Sequence, residues 1–204
     1  MDMDEYGDTA MTRDSGNGGE RRRSSWRIAG WSAAAGVLLL PLVALQFTDE
    51  VNWSVADFAL AGALLLGVGI PLELAVRKSG DAAYRVGVGV ALVAAFLLVW
   101  VNGAVGIIGS EDNDANLMYG GVLAVGIIGA IIARFRPRGM ALALFAAAFT
   151  QALIAVIALI AGLGAPVNGP REIVGLNAFF VVLFVGSALL FQKAARVPFE
   201  RSEV

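Results

Sequence analysis

The chain contains no cysteine and no histidine. The first absence removes disulfides, thiolate metal ligation and a cysteine nucleophile; the second removes imidazole ligands, His-ligated haem and the commonest general base. Charge is scarce as well, with 16% of the 204 residues being Asp, Glu, Lys or Arg against 58% hydrophobic, far from the balance of a soluble domain. The formal net charge of -2, with basic residues spread over separate segments, argues against a nucleic-acid partner. No Lys lies inside a long apolar stretch, which excludes a retinal Schiff base. No cofactor is expected, and no nucleophile, base and metal constellation can be assembled, so an enzyme is the least favoured class. What remains is a chain of mean hydropathy +0.74 whose solvent is the bilayer.

Long apolar runs are what this sequence has in abundance. Residues 28–47, 55–76, 86–108, 117–133, 140–162 and 173–191 are each within or close to the roughly 20 residues that a membrane-crossing helix needs. The reading is an all-α polytopic membrane protein: a six-helix antiparallel bundle over 26–196, with tails at 1–25 and 197–204. The run 28–47 follows Arg21, Arg22 and Arg23 as an export signal would, but no small-residue cleavage site follows it, and a retained first helix is expected. Residues 1–25 are polar and Gly-rich, with little apolar surface to offset the entropy of ordering, and are expected to be disordered.

Charge gives that bundle a direction. Fourteen of the fifteen Lys and Arg residues fall on one side of the six stretches, and only Arg171 falls on the other. By the positive-inside rule the basic side faces the cytoplasm, so both termini are expected inside the cytoplasmic (plasma) membrane. Connections between stretches are short, which predicts that sequential helices are antiparallel neighbours. Small residues recur in stripes, Ala59, Ala63 and Gly67 on one, Gly126 and Ala130 on another, and Gly103, Gly106 and Gly109 on a third. Such stripes let helix backbones approach closely in lipid, within one chain, in a homo-oligomer or against a membrane-protein partner. The hexapeptide AVGIIG occurs at 104–109 and again at 124–129, which suggests either an old hairpin repeat or chance in a restricted alphabet.

The most distinctive segment is GIIGSEDNDANLMYGG at 106–121. Glu111, Asp112 and Asp114, with Asn113 and Asn116, could supply oxygens to a hard cation, although the spacing fits no calcium loop; Asn113 or Asp114 could equally cap the next helix. Tyr119, Tyr84, Trp31 and Trp53 stand near stretch ends, where an interfacial aromatic belt is expected. Asp57 follows Ser54 at capping-box spacing, and Glu73 precedes Arg77 in the favourable order for a helical ion pair, just after Pro71. Each also stands as an intramembrane carboxylate able to handle protons or cations. Asn102, Gln151 and Asn177 complete the polar inventory of the stretches, either as interhelical hydrogen-bonding groups or as the lining of a vestibule.

The segment 106–121, together with DEVNWSVADF, ELAVRK and IIARFRPRGMA, resembles a family of small, functionally uncharacterised bacterial multipass membrane proteins, over roughly 51–160. The resemblance implies a membrane fold and brings no activity and no site residue. Two functional classes therefore stand: a structural or interaction subunit of the membrane, or a small transporter or channel using Asp57, Glu73, Asn102, Gln151 and Asn177.

Overall fold

The computed structural model describes residues 54–196 together with Trp31, Ser32, Ala35, Gly36, Leu39 and Val43, apart from the side chains of Asp57 and Lys78. The expected tails at 1–25 and 197–204, most of the first apolar stretch and Trp53 lie outside the described residues. Among those described the chain is helical without strands. Its helices are α1 (Val55–Lys78), α2 (Ala82–Ala104), α3 (Met118–Ile132), α4 (Pro137–Ala161) and α5 (Pro170–Arg196), with a 3-10 turn at Asp114–Leu117 leading into α3. Among the described residues five helical segments are long and apolar enough to cross a membrane, the one containing α3 only because the 3-10 turn extends it. Alone, the 15 residues of α3 rise about 22 Å, short of a bilayer core.

Two compact units divide the chain, one ending at Gly69 within α1 and the other beginning at Ile70. In the first, Gly69 admits the ring of Trp31, whose Cη2 would lie 2.9 Å from a Cβ at that position. In the second, α5 is the centre. It packs against α2 on one side and α4 on the other, and α4 packs against α3. The interior is built from Phe180, Phe184, Ala188 and Phe191 of α5 with Leu98, Val122, Leu144 and Ala147.

Among α2 to α5 the rule of sequential neighbours fails once. Helices α2 and α3 are consecutive in the chain and barely touch, because the long segment between them is a folded plug that carries the chain away from α2. The helix boundaries differ there for the same reason. Asp81 caps α2 by accepting the Tyr84 N–H at 2.7 Å, so the helix starts before residue 86. It ends at Ala104, not at 108, because Gly106 takes a φ of 74° that no helix accommodates.

Each end of this unit is pinned across helices. At one end the Tyr84 hydroxyl donates to the Phe135 carbonyl at 3.0 Å, and its ring meets Phe191 edge-on at 5.2 Å. At the other, Asn102 donates to the Asn116 carbonyl at 3.1 Å and Asn113 to the Leu163 carbonyl at 3.0 Å. The first end carries Arg85, Arg134, Arg136, Arg138, Lys193 and Arg196; the second carries Glu111, Asp112, Asp114, Arg171 and Glu172. The helices α2 to α5 therefore alternate in direction as the charge pattern requires.

Close helix approach occurs at glycines outside the expected stripes. A Cβ at Gly129 would lie 2.5 Å from that of Ala143, so α3 and α4 touch there, while Gly126, Gly103 and Gly67 have nothing within 4 Å. On the α2–α5 face, Gly87 lies against the Phe191 ring, and Ser187 donates to the Gly87 carbonyl at 2.7 Å. Ala59, Ala63 and Gly67 are exposed.

Candidate functional site

Two groups of polar side chains converge inside the second unit. The first holds the plug. Residues 106–109 leave the helix yet are buried, with Ile107 and Ile108 both at 0% exposure. Non-helical backbone at such depth must find its hydrogen bonds within the protein. Asn116 provides them: its Oδ1 accepts from the Ile107 and Ile108 amides at 3.1 and 3.0 Å, and its Nδ2 donates to the Ser110 carbonyl at 2.7 Å. Gly106 and Gly109, at φ 74° and 72°, make the turn sterically possible. At Gly106 an added Cβ would collide with the Ser110 carbonyl.

Asn113 performs a second local task. Its Oδ1 accepts the Ala115 amide at 3.0 Å and so caps the 3-10 turn, while its Nδ2 reaches the α4–α5 connection at Leu163. The amide oxygens that the cation reading needs are thus already engaged by backbone N–H groups. Glu111, Asp112 and Asp114 are exposed, and among the described residues no three carboxylates group as ion ligands. The oxygen cluster does not form; the segment is a hydrogen-bonded plug with its carboxylates outside.

The second group joins three helices. Asn177 of α5 accepts, at Oδ1, from the Tyr119 hydroxyl of α3 at 3.1 Å and from the Gln151 amide of α4 at 2.9 Å. Its own Nδ2 donates to the Ile173 carbonyl at 2.8 Å. All three side chains are sealed, at 1% exposure for Tyr119 and Asn177 and 0% for Gln151. Tyr119 and Tyr84 thus turn into the protein and do not present their rings on its surface as a belt would. Their hydroxyls find partners inside the protein, which draws the rings inward.

The remaining candidates do not join this group. Glu73 pairs with Arg77 at 2.6 Å one turn away, as the spacing predicts, on a surface where Arg77 is largely exposed. Asn102 reaches the plug through Asn116 and leaves its Oδ1 buried without a partner, as Gln151 leaves its Oε1. Asp57 lies in the first turn of α1, and its side chain is outside the described residues. Sequence reasoning treated Asn116 as a potential ligand and missed its role as the clamp of a buried loop; it also missed the Ser187 bond between α2 and α5. Nothing in an Asn or a Ser alone marks which backbone group it will meet.

The two copies of AVGIIG are not structurally equivalent. The first ends α2 and forms the plug; the second is helical within α3, with Ile127 and Ile128 at 61% and 56% exposure. No protein family, curated protein or solved structure compared with this chain matches it.

Proposed function

We propose that the chain is a six-crossing protein of the bacterial cytoplasmic membrane, both termini inside, that serves as a structural or interaction subunit of a membrane assembly and carries no catalytic site. The Tyr119–Asn177–Gln151 junction supports this reading most directly. Polar groups that would line a solute path are sealed against one another, binding α3, α4 and α5 together, where each such bond contributes about 0.6 kcal/mol or somewhat more. Glu73, the other described transport candidate among the carboxylates, is committed to a surface ion pair.

The test is flux through proteoliposomes holding the purified full chain. Proton, sodium, potassium and small-solute fluxes equal to those of empty vesicles are expected, together with recovery of a membrane-protein partner by crosslinking in native membranes. A flux above background that Gln151→Leu abolishes without unfolding would replace this reading with the transporter. That alternative draws on one observation, the unpartnered acceptors of Gln151 and Asn102 in the interior. The orientation is tested by tagging Asp112, which should be reached only from outside intact cells; access only from the cytoplasm would overturn the topology.

A further inference from the structure

The turn between α3 and α4 is built on two left-handed residues that carry side chains. Arg134 and Phe135 both take left-handed backbone, at φ 49° and 56°, a conformation that costs a residue with a Cβ on the order of 1 kcal/mol or more. The surroundings hold it there. The Phe135 amide closes the end of α3 onto the Ala130 carbonyl at 3.1 Å, its carbonyl accepts from Tyr84, and Gly139 packs so tightly on Ala133 that a Cβ would come within 2.5 Å of it. The result is a fixed turn that presents Arg134, Phe135, Arg136 and Arg138, all exposed, with Phe135 an apolar ring at 47% exposure between cations.

Tyr84 also gathers distant basic residues to this turn. Its neighbour is Arg85, and its ring partner Phe191 lies two residues before Lys193 and five before Arg196. Against these six cations the second unit offers, among its described residues at this end, Asp81, engaged as the α2 cap, and Glu73, paired with Arg77. Helix electrostatics account for Lys193 and Arg196, in the last turn of α5, but not for Arg136 and Arg138, which stand at the start of α4, where the dipole disfavours cations and no acidic residue occupies the first turn. We propose that this end of the unit binds the headgroup of an anionic phospholipid, with the arginines on the phosphate and Phe135 in the acyl boundary. The proposal rests on reading the helices as membrane spans.

A purely topogenic role would set orientation during insertion and leave lipid preference in the purified protein unaffected. The full chain should therefore be reconstituted into phosphatidylcholine vesicles and into mixed phosphatidylcholine and phosphatidylglycerol vesicles, then extracted and its retained lipid measured by native mass spectrometry. Wild type should retain phosphatidylglycerol preferentially at low salt and less so at high salt. Replacing Arg134, Arg136 and Arg138 together by Gln should lower that preference by about a hundredfold, and Arg134→Gln alone by about fivefold; Arg171→Gln at the opposite end should leave it unchanged. Circular dichroism checks that each variant is folded, and the single substitution serves if the triple one is not. Equal retention of both lipids by wild type, an unchanged preference in folded Arg134→Gln, or full displacement by millimolar inorganic phosphate would overturn the proposal. Failure of wild type to enter either vesicle would overturn the membrane reading beneath it.

Discussion

Asn116→Leu is the substitution that most directly tests how the plug is held. Leucine matches asparagine in side-chain heavy-atom count and branching, so the change removes hydrogen bonds without opening a cavity. It takes away the acceptor of the Ile107 and Ile108 amides and one of the donors to the Ser110 carbonyl, which keeps the Asn113 N–H, so two backbone amides are left without a partner. The two isoleucine amides belong to fully buried residues, and each orphaned buried group costs about 1–3 kcal/mol. Counting those amides, the folded state should lose at least about 2 kcal/mol. Asn102→Leu provides the contrast. It removes one donor to the Asn116 carbonyl and at the same time eliminates an acceptor that is already unpartnered, so a change of about 1 kcal/mol or less is expected.

Reversible unfolding of the detergent-solubilised chain by a denaturing detergent gives the free-energy difference. Because the chain has no cysteine, Ile107→Cys introduces a unique thiol whose maleimide labelling reports plug opening. Labelling should be slow in the Asn116 background and at least tenfold faster with Asn116→Leu. If Asn116→Leu costs no more than Asn102→Leu and labelling is unchanged, the plug is held by apolar burial of Ile107 and Ile108, and the clamp argument fails.

Other substitutions separate close contacts from open ones. Gly129→Ala should destabilise by about 1–3 kcal/mol through collision with Ala143, whereas Gly126→Ala, with nothing nearby, should be neutral or slightly stabilising; equal effects in the same unfolding assay would refute the packing. Asn177→Leu orphans both the Tyr119 hydroxyl and the Gln151 amide and should cost several kcal/mol, while Gln151→Leu removes an unpartnered oxygen and leaves Asn177 still bonded to Tyr119, for a change within about 1 kcal/mol. The reverse order would show that the junction is organised around Gln151. Glu73→Gln breaks the i,i+4 ion pair with the exposed Arg77, and loss of that pair should change stability by about 0.5 kcal/mol or less.

Helix positions were legible because the bilayer demands long apolar runs, and four of the described starts or ends also carry a local signal: Ser54, Asp81, Pro137 and Pro170 stand at or just before a helix start. The charge pattern likewise anticipated which helix ends share a side. What sequence could not carry was the choice between helix and plug for AVGIIG. The local preference of the two copies is identical, and in one of them the Ile107 and Ile108 amides find Asn116, a nearby residue whose side chain has no intrinsic reason to reach back. Close-approach glycines were misassigned for a related reason: Gly126 and Gly129 are three residues apart on one helix, and only the position of Ala143 on α4 distinguishes them.

The polar residues of the second unit are divided by task, and that division bears on function. At the acidic end, amide side chains stabilise backbone that has left the helix; deeper in the same half, Asn177 ties three helices through one oxygen; at the basic end, Tyr84 fixes a strained turn. Conduction would need α3, α4 and α5 to part at Asn177, exposing in the apolar interior the donors it now satisfies. A protein with an alternating path would be expected to leave one of these junctions open to water or to supply a second arrangement of partners. Here the Tyr119–Asn177–Gln151 junction is closed, while the cations and the exposed Phe135 lie at the surface. Under the proposed reading, the chemistry open to a partner lies with these surface residues, and the closed junctions of the interior hold them in place.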